Sequence, residues 1–105
     1  MRRCDEYVKA GADMLFVEAL RTPEEAERAA RSFEVPLLYN FVETGKSPLI
    51  PVPELERLGF KLVIFPVSAL LTVCQVVGKL MGELKQRGTT AHLMDRMTSL
   101  HQCFE

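Results

Sequence analysis

Apolar and polar positions change rhythm repeatedly along this chain, from helical spacing to short apolar runs and back. Residues 3–10 predict the end of a helix, closed by Gly11 at a C-cap position. Asp13 leads into an apolar run at 14–18 that ends on the carboxylate of Glu18. Thr22, Pro23 and Glu25 predict a helix start, with Thr22 as N-cap, Pro23 at the first helical position and Glu25 completing a capping box. Ala26, Ala29, Ala30 and Phe33 recur at helical spacing with charges between them, so this helix should end near Phe33. Val35 and Pro36 open a second strand at 37–41, followed by a Gly-, Ser- and Pro-rich loop at 42–52. A short helix at 53–58 is stopped by Gly59, and a third strand covers 60–65. Ser68 can cap a long helix to about Arg87, stopped by Gly88, with an apolar stripe of Leu70, Val73, Cys74, Val77, Leu80, Met81 and Leu84. Thr89 or Thr90 starts a last helix reaching about Phe104.

Strands alternating with helices imply an α/β fold with a parallel sheet and right-handed crossovers. Glu18 and Asn40 are 22 residues apart, and Asn40 and Pro66 are 26 apart. A (β/α)8 barrel allots roughly 30 residues to each unit. Three strands are too few to close a barrel, and an open three-stranded parallel sheet leaves two edges to cover. The expectation is a single domain over 1–105 that forms the C-terminal part of a (β/α)8 TIM barrel: about three βα units plus a terminal helix.

Composition narrows the partners. The 105 residues, 48% hydrophobic, suffice for a packed core, and a net charge of −1 leaves no basic surplus to neutralise phosphates, so nucleic acid is not an expected partner. Cys4, Cys74 and Cys103 are odd in number and far apart, which fits free thiols in a reducing, cytoplasmic setting better than a disulfide framework. No apolar run follows the N-terminal Met1, Arg2 and Arg3, so no secretory signal is read. The uncharged stretch between Lys61 and Lys79 falls short of the ~20 residues of a membrane span and contains Pro66, so a buried strand and helix is the better reading.

Chemistry concentrates where strands end, as parallel α/β proteins require. Glu18 is either a structural carboxylate or a site residue. Asn40 is either a turn former or an amide that binds a carboxylate or enolate oxygen without adding charge. Glu43 and Lys46 read as a solvated pair, with Glu43 also able to orient Asn40 from behind. Gly45 is expected to serve a positive φ. His92, His101 and Cys103 match no zinc spacing. Cys74, within the apolar stripe, is expected to pack as a small hydrophobe. Gly78 and Gly82 form a G-x-x-x-G pattern that marks either close approach to another helix or nothing.

Several of these residues, taken in order, resemble the isocitrate lyase/phosphoenolpyruvate mutase superfamily. The resemblance rests on Ala10, Gly11, Ala12 and Asp13 followed by Phe16 to Ala19. It continues through Asn40 to Gly45 with Pro48, then Glu54, Leu55, Leu58 and Gly59, then Pro66 to Ala69, and last Gly88 to Thr90. It covers nearly the whole chain. It implies a (β/α)8 barrel, usually oligomeric, that binds Mg²⁺ and a small 2-oxo acid or dicarboxylate. By position, Glu18 matches a glutamate that helps hold the metal–substrate complex, and Asn40 an asparagine that hydrogen-bonds a substrate carboxylate. Val42 stands where methylisocitrate-cleaving members carry threonine, and Leu71 where they carry arginine. The loss of a hydroxyl and a cation removes two partners for a third carboxylate. The pattern therefore looks more like members acting on oxaloacetate or alkylmalates, or like carboxyvinyl-carboxyphosphonate phosphorylmutase-like enzymes. In the family, the helix after the last barrel strand packs on a neighbouring subunit, so a homo-oligomer through helix 68–87 is implied.

The resemblance places the family's Mg²⁺ ligands and catalytic-cysteine loop in an earlier part of the barrel, and neither an Asp-x-Asp pair nor a Lys-x-Cys-Gly-His motif occurs here. The expectation is a fragment of a Mg²⁺-dependent lyase that makes or breaks a C–C bond beside a 2-oxo acid through an enolate, and that is inactive alone. Three rivals stand beside it. They are a C–P bond mutase or phosphonate hydrolase of the same fold, a noncatalytic interaction or oligomerisation module, and a small regulatory α/β domain unrelated to the family, which an antiparallel sheet would favour.

Overall fold

The structure, a computed structural model, describes residues 2–105. The chain divides into two compact units, one up to Leu70 and the other from Leu71 to Glu105. In the first, α1 (Arg2–Lys9), β1 (Leu15–Phe16), α2 (Pro23–Ala30), β2 (Leu37–Asn40), α3 (Val52–Leu58) and β3 (Leu62–Ile64) follow one another. The strands form one sheet in the order β1-β2-β3, and both pairings are parallel. The alternating order read from the sequence is therefore present, and an antiparallel sheet is excluded.

Side chains alternate across a strand, so the register decides which face each residue joins. Leu15 pairs with Leu37, Phe16 with Leu38, and Leu38, Tyr39 and Asn40 with Leu62, Val63 and Ile64. Leu15, Leu37 and Tyr39 are buried and belong to a core with Leu20, Ala26, Ala29, Ile50, Leu55 and Phe60; Val63 packs against it. Ala26 and Ala29 are fully buried at helical spacing. Their small side chains let α2 lie close to its neighbours. Each large core side chain stabilises the unit by roughly 1.5–3 kcal/mol. The opposite face carries Phe16, Leu38, Asn40, Leu62 and Ile64, of which Phe16 and Leu62 are exposed.

Local signals set the element ends. Thr22 caps α2 by accepting from the Glu25 N–H at 3.2 Å. The expected capping box is altered, because the Glu25 carboxylate reaches past the cap to the Arg21 N–H at 2.7 Å. Gly11, Gly59 and Gly88 end their helices with φ of 99°, 108° and 66°. At Gly59 the N–H groups of residues 59 and 60 both return to the Leu55 carbonyl, a closure that the left-handed conformation permits.

Several expected boundaries move. The runs at 14–18 and 60–65 pair only over Leu15–Phe16 and Leu62–Ile64, and α2 ends at Ala30, short of Phe33. At the last, the Ser32 N–H turns back to the Ala29 carbonyl in a tighter closing turn.

α4 (Ser68–Arg87) begins in the first unit and continues into the second, where a 3-10 helix (Ala91–Arg96) and α5 (Leu100–Cys103) follow. The single terminal helix expected to Phe104 is thus two short pieces. Met97 is extended, at φ −105° and ψ 140°, and Ser99 opens α5 with a capping box to Gln102. A capping box satisfies the donors of a new helix start and competes with continuation. No residue of α4, the 3-10 helix or α5 is buried. Cys74, expected to pack in an apolar stripe, is exposed, as are Leu70, Val73, Val77, Met81 and Leu84. A Cβ added at Gly78 or Gly82 would meet open space, so among the described residues no helix approaches the G-x-x-x-G surface. Among the described residues, no helix is long and apolar enough to cross a membrane.

Candidate functional site

The candidate site lies at the carboxyl ends of β1 and β2. Asn40 is the last residue of β2 and stands opposite Ile64 of β3. It projects from the face that carries Phe16, Leu38 and Leu62. Its Oδ1 is buried and has no hydrogen-bond partner among the described residues. Burying a carboxamide oxygen without a donor costs about 1–3 kcal/mol, so such a group stands out where nearly all buried polar atoms are paired. A half-turn of the amide exchanges its acceptor for a donor, so Asn40 can offer either to a small polar molecule.

Glu18 sits two residues past β1, on a turn, and is exposed. Its Oε1 accepts from the Ala19 N–H at 3.0 Å. Ala19 has φ 57°, a left-handed conformation that costs a residue with a Cβ about 1–2 kcal/mol. Leu15 to Leu37 is an offset of 22 residues, and Glu18 to Asn40 is the same offset, although the ladder's last pair is Phe16 with Leu38 and the chain turns before Glu18. Glu18 also lines an open cleft of about 460 Å³ with Arg2, Arg3, Cys4 and Tyr7 of α1.

The loop after β2 begins at Val42, which is half-buried and whose carbonyl accepts from the Gly45 N–H at 3.0 Å. The positive φ expected at Gly45 is not present. Glycine is needed there for space, because an added Cβ would lie 3.0 Å from the Val42 Cβ and 3.2 Å from its carbonyl oxygen. Glu43 and Lys46 are exposed, and no hydrogen bond or ion pair joins Glu43 to Asn40 or to Lys46 among the described residues. At the loop's far end, the buried Tyr39 hydroxyl donates to the Pro48 carbonyl at 2.6 Å. Sequence reasoning missed this bond; the signal was a tyrosine in an otherwise aliphatic strand.

The terminal histidines do not converge. His92 Nε2 lies 3.0 Å from Glu83 Oε2, and His101 Nδ1 lies 2.9 Å from Glu105 Oε1. The His92 contact, with Arg87 beside it, holds the Glu83 carboxyl below its ordinary value. Glu18 and Asn40 provide oxygen donors of the kind Mg²⁺ prefers, but two do not make an octahedral set. No group of three His, Cys, Asp or Glu side chains among the described residues could hold a metal ion. The described residues by themselves therefore do not fit a Mg²⁺ centre.

Parallel βα units with polar residues at their carboxyl ends define an α/β protein of barrel or open-sheet kind, and comparison with known proteins assigns them to a segment of a (β/α)8 barrel. Residues 1–85 match the family model of phosphoenolpyruvate phosphomutase. A probable 2-methylisocitrate lyase of Corynebacterium glutamicum is 35% identical over 105 residues, covering 100% of this chain and 34% of its own length. The crystal structure of 2,3-dimethylmalate lyase superposes with a TM-score of 0.86 at 31% identity, covering 98% of this chain and 36% of that one. Oxaloacetate acetylhydrolase in complex with the product oxalate superposes with a TM-score of 0.84 at 30% identity, covering 99% of this chain and 37% of the other. The chain belongs to the phosphoenolpyruvate phosphomutase family, within the isocitrate lyase/PEP mutase superfamily. It spans about a third of the length of the curated relatives it matches.

Proposed function

We propose that this chain supplies Glu18 and Asn40 to the site of a lyase that makes or breaks a C–C bond next to a 2-oxo acid through an enolate. The carrying observation is the buried, partnerless Oδ1 of Asn40 at the carboxyl end of a parallel strand. A carboxamide there can hydrogen-bond a substrate carboxylate or enolate oxygen, and a neutral partner avoids trapping a charged product. Glu18, just past the carboxyl end of the neighbouring strand β1, would add a carboxylate to the same rim. Mg²⁺ is the proposed cofactor, a Lewis acid for the developing enolate charge. Its ligands would come from outside this chain, and we assign none of its residues to the metal.

The proposed substrate class is a small 2-oxo acid or dicarboxylate such as oxaloacetate or an alkylmalate. Val42 supports this over a tricarboxylate, because it offers no hydroxyl, and Leu71 offers no cation. Glu43 and Gly45 shape the loop beside Asn40 without touching substrate. Assembly through α4 is part of the proposal. Leu70, Val73, Val77 and Met81 leave an apolar helix surface in water that a second copy would cover. The free cysteines agree with a cytoplasmic, reducing setting.

A hybrid enzyme tests the reading. This chain replaces the matching third of 2,3-dimethylmalate lyase, and the product is assayed with Mg²⁺ on 2,3-dimethylmalate, 2-methylisocitrate and oxaloacetate. Pyruvate from the first two is read with lactate dehydrogenase, and oxalate from the third by chromatography. Turnover that Asn40→Ala abolishes is expected. A folded hybrid with no turnover on any of the three, or one indifferent to Asn40→Ala, defeats the lyase reading. A phosphonate substrate turned over in its place would favour C–P chemistry.

A further inference from the structure

Tyr39 and Asn40 are neighbours on β2 and face opposite sides of the sheet. Tyr39 is 2% exposed, and its ring meets Phe60 edge-on with centroids 5.1 Å apart. A phenylalanine would satisfy that packing equally well. The hydroxyl instead donates to the carbonyl of Pro48, nine residues on and outside the strand, at 2.6 Å. The same carbonyl accepts from the Ile50 N–H at 3.0 Å, and Ile50 is itself buried in the core. The returning limb of loop 41–51 is thus tied to β2 by the Tyr39 hydroxyl, at an oxygen that also closes the turn leading to the buried Ile50.

The outgoing limb is held separately. The Phe41 N–H reaches the Ile64 carbonyl at 2.9 Å, and the Gly45 N–H closes on Val42 at 3.0 Å. Between these ties, Glu43, Thr44, Gly45 and Lys46 are all exposed. No other side-chain hydrogen bond reaches this loop among the described residues.

We propose that Tyr39 is a positioning residue: from the core face of the sheet it clamps loop 41–51 through Pro48, and so holds Val42 and Glu43 in place beside Asn40. The clamp stands on the geometry above; its bearing on substrate rests on the reading of Asn40 given under the proposed function. Strand β2 then couples two tasks in adjacent residues, one holding the loop and the other offering a polar group to what the loop covers.

Limited trypsin digestion of the whole chain tests the clamp without substrate. The readout is cleavage after Lys46 relative to cleavage after Arg31, which is exposed in the same compact unit but outside the loop. In Tyr39→Phe this ratio should rise about fivefold, the factor expected for losing one buried neutral hydrogen bond. A Tyr39 that contributes only to global stability would lower the urea midpoint and leave the ratio unchanged, and that result overturns the proposal. If circular dichroism shows that Tyr39→Phe does not fold, the wild-type chain decides. Hydroxyl exchange read from the isotope shift on tyrosine Cζ by NMR should be slow for Tyr39 and fast for the exposed Tyr7. Equally fast exchange at both overturns the clamp. An inactive hybrid defeats the lyase reading and leaves this result standing.

Discussion

Leu37 stands opposite Leu15 in a parallel ladder, and the offset that pairs them is the offset between Glu18 and Asn40. Register in a sheet with one buried face resists slipping, because a shift by one residue would send Leu15, Leu37 and Tyr39 to the wrong side. The core therefore fixes the face of the sheet that Asn40 joins. This arrangement separates stability from function at Asn40. Replacing it by leucine removes a buried oxygen without a partner, so Asn40→Leu should raise the unfolding free energy of the chain by about 1 kcal/mol. The same substitution should abolish turnover in the hybrid. Urea titration and the product assay check the two halves, and a loss of stability would show that the oxygen is satisfied in solution.

Backbone conformation gives a pair of opposite effects. Gly59→Ala forces a Cβ into a left-handed turn at φ 108°, where the space itself is open because the nearest atom is 3.9 Å away. It should cost about 1–2 kcal/mol. Ala19→Gly relieves the same kind of strain at φ 57° and should be neutral or stabilising by up to about 1 kcal/mol, since glycine's greater unfolded-state freedom offsets part of the gain. Thermal denaturation of both variants checks the signs.

Acid should weaken the fold through its helix-surface carboxylates. The side-chain hydrogen bond from Arg57 holds the Glu54 carboxyl below its ordinary value of 4.5, and Thr22 does the same for Glu24. A carboxyl depressed in the folded state adds stability that is full above the unfolded value and is lost as pH falls through the folded one. Stability should therefore decline as pH drops below about 4.5, and Glu54→Gln should flatten that limb. At the alkaline end the sign reverses. Burial pushes the Tyr39 phenol above its ordinary value of 10.0, so its contribution is full below that pH and is lost as pH rises through the folded value. In Tyr39→Phe this alkaline loss should disappear from pH-dependent urea midpoints.

Assembly can be probed at Gly78 without disturbing the protomer. A side chain there meets open space within the chain, and leucine is the better helix former by up to about 1 kcal/mol. Gly78→Leu should leave the circular dichroism spectrum intact and lower the oligomer mass measured by light scattering. An unchanged mass would remove the G-x-x-x-G surface from the interface.

The purified chain alone should show no turnover of oxaloacetate or alkylmalates with added Mg²⁺, because its described residues do not form a metal centre. Measurable product in the coupled assay would contradict this.

Much of the fold was legible because its signals are local. Thr22 with Pro23 started α2, and glycines at 11, 59 and 88 stopped helices by left-handed turns. Alternation of strand and helix gave the parallel sheet. The terminal helix was misread because its helical spacing hid a local competitor, the Ser99–Gln102 capping box, which was present in the sequence and was passed over. Gly45 was assigned the wrong reason, since crowding against Val42 depends on a turn that spacing does not reveal. Glu18 and Asn40 stood out as strand-end polar residues, but the face that Asn40 joins required the register. The Tyr39–Pro48 bond joins a strand to a distant loop and left no periodic trace.

From Leu71 onward the chain contains no buried residue. The heat-capacity step on melting follows the apolar area freed to solvent, and a stretch without a buried residue adds little to it. Scanning calorimetry of the polypeptide, diluted until light scattering shows it unassembled, should thus yield a heat-capacity step sized for about the first 70 residues.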